Sequence, residues 1–251
     1  MSKSKKDIAK KFKPRIETAT FEADNITSPW RIFKIMGEFV SGFEFLKSYD
    51  AAVTFFGSAR LKASDKYYQE ATKLGKYMSE MGFAVITGGG PGIMEAGNKG
   101  ATLAKGVSIG INIQLPHEQR VNKYVKQSQS FHYFFTRKVM LIYASELYVY
   151  FPGGFGTVDE FFELITLVQT RKICPVPIIL VGREFWTPLL DWIDKTMNKK
   201  YKAIGPQDTK IYHLVNNADE ALAHINKLIK ENKISTKEVP IEYSHESKIQ
   251  I

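Results

Sequence analysis

Residues 147–163 read "LYVYFPGGFGTVDEFFE". Five strand-forming residues, Leu147 to Phe151, run into Pro152-Gly153-Gly154, and a helical pattern follows. A strand that stops at a glycine turn and hands over to a helix is part of a parallel βαβ unit. The same pattern repeats on both sides. "AAVTFFG" (51–57) precedes a helical segment near 65–81, and "FAVITG" (83–88) precedes one near 92–105. "VSIGINI" (107–113) leads into a polar loop, and a helix near 133–145 then reaches the opening stretch. Downstream, a helix near 157–171 is followed by "VPIILVG" (176–182), a helix near 184–197, "TKIYHLV" (209–215) and a helix near 218–230. Short apolar runs alternating with helices predict a parallel sheet covered on both faces. The expected fold is α/β: a single doubly wound, Rossmann-like domain over residues 50–230. Residues 1–49 form a helical extension, a basic arm followed by an aromatic helix. Its Trp30, Phe33, Met36, Phe39, Phe43 and Leu46 fall near helical spacing behind Ser28-Pro29. Such a helix has two possible partners, the sheet or another subunit. Residues 231–251 form a polar C-terminal tail.

Composition sets the outer bounds. With 44% hydrophobic and 24% charged residues, 251 residues are enough for a full core. No apolar run of about 18 residues exists, so no membrane association is expected. The N-terminal lysines are followed by no apolar segment, which does not fit a secretory signal. Cys174, the only cysteine, excludes an internal disulfide and fits a cytoplasmic location. The scattered histidines have no ligand spacing, so no metal site is expected. The formal charge of +9 is concentrated at one end: seven cations against Asp7 leave residues 1–15 at +6 and the other 236 residues at +3. A basic, apolar-poor arm reads as a solvated tail, and nucleic acid is not expected as a partner.

In an open parallel sheet, ligands bind beyond the carboxyl ends of the strands. Three strands here run into small-residue turns: "FFGSAR" with Ser58, "TGGGPGIMEAGNKGA" with Gly90, and the opening stretch. Glycines let backbone N–H groups approach an anion, and a following helix adds its positive end. The usual dinucleotide fingerprint follows the first strand as G-x-G-x-x-G, with an acid at the end of the next strand. Here the cluster follows the second strand, reads G-G-G-P-G, and the next strand runs into Gln114. No Gly-Lys-Ser/Thr follows either loop, so neither is a Walker A loop. A mononucleotide or a sugar phosphate is the remaining expectation.

Two readings of Glu160 are open at this level. Thr157-Val158-Asp159-Glu160 has the spacing of a capping box, with Thr157 as N-cap. Alternatively Glu160 is a catalytic acid, with Glu163 on the same helical face and Asp159 turned about 100° away. Arg137 and Lys138 also read two ways. They are either an exposed helical edge or a cation pair facing an anionic ligand.

"PGGFGTVDE" (152–160) resembles the PGGxGTxxE motif of the Lonely Guy (LOG) family, phosphoribohydrolases of cytokinin riboside 5′-monophosphate formerly labelled possible lysine decarboxylases. "GGGPGIMEAGNKGA" (88–101), "FGSAR" (56–60) and Arg137-Lys138 match in order and spacing, so the resemblance covers roughly residues 50 to 225 and is nearest to the longer bacterial branch. It implies hydrolysis of the N-glycosidic bond of a nucleoside 5′-monophosphate to free base and ribose 5-phosphate, without a cofactor. The implied catalytic residues are Arg137 and Glu160, with Arg137 either binding the departing base or positioning the substrate. The implied substrate contacts are Ser58, Gly90, Met94, Glu95, Lys138, Gly153, Gly154, Gly156 and Thr157. It also implies a homodimer or higher homo-oligomer. One departure bears on the base: short members read GGGSxGLMG, and Glu95 stands where they have glycine. The base is therefore left open between AMP and a cytokinin nucleotide. The competing reading is a non-catalytic nucleotide sensor or carrier on the same fold. Lysine decarboxylation needs pyridoxal phosphate and a Schiff-base lysine, a constellation the sequence does not assemble.

Overall fold

The computed structural model describes residues 29–49, 51–114 and 121–234. The chain divides into two compact units, Met1–Gly37 and Glu38–Ile251. Helix α1 (Pro29–Leu46) runs through the division. Of the first unit, only the opening turns of this helix are described, with the Trp30 and Phe33 rings 5.8 Å apart. The basic arm and the polar tail lie outside the described residues, apart from the tail's first four residues.

The described residues of the second unit hold seven strands: β1 (Ala52–Phe56), β2 (Ala84–Thr87), β3 (Ser108–Ile113), β4 (Gln127–Phe131), β5 (Leu147–Tyr150), β6 (Ile178–Val181) and β7 (Tyr212–Val215). Between them run α2 (Lys66–Glu80), α3 (Ile93–Leu103), α4 (Phe134–Ile142), α5 (Phe155–Gln169) and α6 (Arg183–Trp192), and α7 (Ala218–Lys230) follows β7. All pairings are parallel, in the order β4-β3-β2-β1-β5-β6-β7. The doubly wound, Rossmann-like α/β fold expected from the alternation is the one observed. The chain steps outward from β1 to β4, and α4 then carries it back so that β5 pairs on the other side of β1. That reversal puts the switch point between β1 and β5, where Phe56 is in register with Tyr150.

Strand alternation divides the core in two. Val53, Phe55, Leu147 and Val149 face α2, α3 and α7 through Leu74, Met78, Ala96 and Ile225. Phe56, Ile109, Tyr148 and Tyr150 face the other layer through Met140, Phe161, Leu164 and Trp186. The second half of α1 joins this layer, with Leu46 buried and Phe39 and Phe43 packed against it.

One strand departs from the sequence reading. The polar loop after β3 contains β4, "QSQSF", paired with β3 from Ile109↔Gln127 to Ile113↔Phe131. It is a sheet edge whose first four residues are exposed or half-buried, so it has no apolar run to announce it.

Two helix starts follow ordinary capping: Asp65 accepts from Tyr67 N at 2.8 Å, and Asn217 accepts from Glu220 N at 3.0 Å. The start of α3 does not. Its N-cap is Gly92 at φ 68°, with no side-chain cap. A Cβ on Gly92 would collide with the Ser58 carbonyl oxygen and stand 2.7 Å from the carbonyl carbon of Ala59. Gly92→Ala therefore combines left-handed strain with a backbone overlap, and should destabilise the fold by about 2 kcal/mol or more. Urea denaturation measures this, and an unchanged midpoint would contradict the packing described.

Candidate active site

Backbone hydrogen bonds gather the three small-residue turns. Phe151 N donates to Phe56 O at 2.8 Å, extending the β1–β5 pairing to the last strand residues. Ser58 N then donates to Pro152 O, and Ile93 N donates to Ser58 O, both at 3.0 Å. Ser58 thus ties the turn after β5 to the start of α3. Between these turns lies a cavity of about 220 Å³ at the switch point. The β1 strand and its turn contribute Phe55, Phe56, Gly57 and Ala59, the β2 turn contributes Gly88, and α3 contributes Met94. Helix α4 adds Phe134 and Arg137, and the start of α5 adds Gly154, Gly156, Thr157 and Glu160.

The start of α5 differs from the capping-box reading. Its N-cap is Gly154, not Thr157, and no side chain caps it. Thr157 is the third helical residue and Glu160 the sixth, so Glu160 cannot reach back to an N-cap. The N–H groups of Phe155 and Gly156 lack an intrahelical acceptor because they are in the first turn. A Cβ at Gly154 or Gly156 would meet nothing within 4 Å. Both residues line the cavity, so the absence of side chains keeps that space open. Gly153 is different: a Cβ there would collide with Thr157 Oγ1. An uncapped helix start facing open space has the geometry of a phosphate site.

Glu160 sits one turn further in. It is 6% exposed, and its Oε2 is buried without a hydrogen bond to any described residue. Burial raises its pKa from 4.5 to about 7, against the pull of Lys138 and Arg137. The carboxyl therefore titrates near neutrality, where a group that exchanges a proton with water is most useful.

The two cations have different surroundings. Lys138 Nζ pairs with Asp159 and Glu163, each at 2.7 Å. Burial lowers its pKa, but these bonds outweigh burial and hold it above the ordinary lysine value. Lys138 thus clamps α4 to α5 beside the cavity and is not part of its lining. Arg137 lies in the lining. Its Nε donates to Ile111 O at 2.9 Å, and its guanidinium carbon lies 5.9 Å from the centre of the Phe134 ring. Burial lowers its pKa, opposed by the charge of Glu160. A side chain at Gly88 would collide with Arg137 Nη2, so this glycine makes room for the guanidinium.

The structure thus brings Met94, Arg137, Gly154, Gly156, Thr157 and Glu160 to one cavity. Ser58, Gly90, Glu95, Lys138 and Gly153 are not among its lining residues. Ser58 Oγ accepts from Arg60 N at 3.1 Å. Gly90 O accepts from Asn122 Nδ2 at 3.0 Å, and Glu95 accepts from the Tyr68 hydroxyl at 2.9 Å. The sequence did not mark Phe55, Phe56 and Phe134 as lining residues, nor Gly57, Ala59 and Gly88 as individual contacts within their turns. Gly57, Ala59 and Gly88 sat inside motifs already noted, and Phe134 precedes the Arg-Lys pair by three residues.

A doubly wound sheet with its cleft at the switch point defines a Rossmann-like α/β protein. The model of the family described as "Possible lysine decarboxylase", the LOG family, matches residues 94–225, just over half of the chain, and the protein belongs to that family. A probable cytokinin riboside 5′-monophosphate phosphoribohydrolase of Oryza sativa subsp. japonica is 26% identical over 179 residues, covering 70% of this chain and 71% of that one. The cytokinin riboside 5′-monophosphate phosphoribohydrolase of Rhodococcoides fascians is 26% identical over 152 residues, covering 57% and 74%. The solved molybdenum cofactor carrier protein of Chlamydomonas reinhardtii superimposes with a TM-score of 0.54 at 21% identity, over 72% of this chain and 99% of that one. At that identity the likeness concerns the fold.

The family description prompts a test for pyridoxal phosphate. That cofactor needs a lysine amine inside the cavity. Among the described residues no lysine lines it, and the neighbouring Lys138 is engaged by two carboxylates, so these residues do not fit the group. Among the described residues, no helix is long and apolar enough to cross a membrane, and no cluster of three metal-ligating side chains occurs.

The raised pKa of Glu160 has a measurable sign. Between pH 4.5 and about 7 the folded state holds its proton more tightly than the unfolded chain, so ionisation makes stability fall as pH rises through that window. The full effect is on the order of 3 kcal/mol. Glu160→Gln removes it, so the stability of the variant relative to wild type should rise from pH 5 to pH 8. Denaturation at the two pH values measures this, and a constant difference would contradict the buried, uncompensated carboxyl.

Proposed function

We propose that the protein hydrolyses the N-glycosidic bond of a purine nucleoside 5′-monophosphate, with adenine or N6-substituted adenine as the base. The products are the free base and ribose 5-phosphate. The observation that carries this reading is the buried Glu160 carboxyl, whose Oε2 has no hydrogen-bonding partner among the described residues and which titrates at about 7. It stands one helical turn from an uncapped, glycine-lined helix start. An acid placed there for stability alone would have a cap or a cation bonded to it.

In the proposed reaction the 5′-phosphate takes the free N–H groups at the start of α5, which fixes the ribose over Glu160. Cleavage of C1′–N9 leaves the electron pair on the base and positive charge on the ribose carbon. The Glu160 carboxylate stabilises that charge, and as water adds to C1′ it takes the water's proton. Arg137 has its Nε anchored on Ile111 O, leaving its Nη groups to donate to the departing base. The departing base takes a proton from solvent, and Glu160 releases the proton it took from the water back to solvent, which completes the balance. Met94 and Phe134 supply apolar walls for a flat purine. The two phosphoribohydrolase relatives support the same reaction class.

With AMP and an N6-substituted AMP as substrates, wild type should release the base. Glu160→Gln and Arg137→Ala should each lower kcat/KM about 100-fold or more. Chromatography of the products measures this. Adenosine, which lacks the phosphate, should turn over far more slowly, and equal rates would remove the phosphate site from the mechanism. Tight AMP binding by wild type without base release would favour the carrier reading.

A further inference from the structure

Helix α4 carries Arg137 but begins without a cap from its own chain segment. Its N-cap position is held by Tyr133, whose long aromatic side chain is not a capping acceptor. The acceptor comes from α1, about 95 residues earlier in the chain. Glu38 Oε1 accepts from His132 N at 2.6 Å, and Glu38 Oε2 accepts from Tyr133 N at 3.3 Å. The Thr136 hydroxyl lies within reach of both Glu38 Oε2 and Tyr133 O and gives its one proton to one of them. A carboxylate at this end of a helix is favoured by the helix dipole as well. One turn further along α1, a Cβ on Gly42 would stand 2.9 Å from Met140 Cγ and 3.1 Å from Phe131 Cε1, so α1 and α4 run in close contact.

The consequence falls on the next residue. Arg137 N donates to Tyr133 O at 3.2 Å, while its guanidinium is confined between Ile111 O and the bare Cα of Gly88. A first turn that frays or shifts carries the guanidinium with it, and displacement of about 1 Å at a catalytic group can cost about 100-fold in rate. We propose that Glu38 is a positioning residue. Through the His132 and Tyr133 N–H groups and the Thr136 hydroxyl, the N-terminal helix anchors the entry to α4 and thereby sets the place of Arg137 in the cavity. The effect on turnover rests on the catalytic reading of Arg137 given above, whereas the effect on its placement does not.

The test uses Glu38→Ala, Glu38→Gln and the double variant Glu38→Ala/Tyr133→Asp in the full chain. Asp is a good N-cap residue and accepts from an N–H further into the first turn, so it holds that turn by a bond that does not need Glu38. Two quantities are read beside the melting temperature: solvent exchange of the Arg137 Nε–H by nitrogen-15 NMR, and kcat and KM for AMP. Glu38→Ala should speed Nε–H exchange at least tenfold and lower kcat/KM at least tenfold. The double variant should recover most of both, and Glu38→Gln should fall between wild type and Glu38→Ala. A lower melting temperature with unchanged exchange and unchanged kcat/KM would overturn the proposal and leave Glu38 a structural residue. If Glu38→Ala does not fold, Glu38→Gln and the double variant decide by the same two readouts, and wild-type exchange in Glu38→Gln overturns the proposal. If wild type releases no base, the functional reading fails, and Nε–H exchange still decides the role of Glu38.

Discussion

The N–H of Ser58 donates to the turn after β5, and its C=O accepts from the first turn of α3, so one peptide segment fixes the spacing of three loops. The bond to the turn after β5 can form only because the winding reverses at β1, which makes β5 its neighbour although about 90 residues separate them in the chain. The cavity follows from that constraint. Gly92 must lack a Cβ because Ser58 O lies against it, and Gly153 must lack one because Thr157 lies against it. Gly154 and Gly156 are under no such pressure, and they are the two glycines of that turn that face the cavity. One set of glycines closes the frame and the other keeps its interior open.

Within that frame the charges are divided. Lys138 is held by Asp159 and Glu163 and joins α4 to α5. Glu160, on the same helix as both carboxylates, receives no such bond at Oε2. Desolvation then dominates its titration, and the opposing pull of Lys138 and Arg137 is too weak to restore an ordinary carboxyl. A buried acid of this kind weakens the fold when it ionises, a cost expected where function sets the residue.

Much of this was legible in the sequence for a physical reason. Buried parallel strands read as apolar runs, and glycine turns mark their carboxyl ends, so the sheet and the edge that bears the cavity could be placed before any coordinates. What stayed hidden depends on groups without a pattern. The edge strand β4 is polar because solvent covers it. The capping box at Thr157 is a spacing that the chain does not use, since the turn begins α5 two residues earlier at Phe155. Gly90 and Glu95 lie in the same motif as Met94 but bond elsewhere, Gly90 O to Asn122 and Glu95 to Tyr68, and the sequence motif does not separate residues that line the cavity from those that do not. The cap that Glu38 provides to α4 joins residues about 95 positions apart, and no local rule could have paired them.

The state of the Glu160 carboxyl in solution bears on all of this. Carbon-13 NMR of labelled glutamate side chains, with the Glu160 signal assigned by its loss in Glu160→Gln, follows its titration directly. The account predicts a midpoint of about 7 in the free protein and a displacement of that midpoint when AMP is added. A midpoint near the ordinary 4.5, unmoved by AMP, would contradict both the burial of the carboxyl and its place beside the substrate.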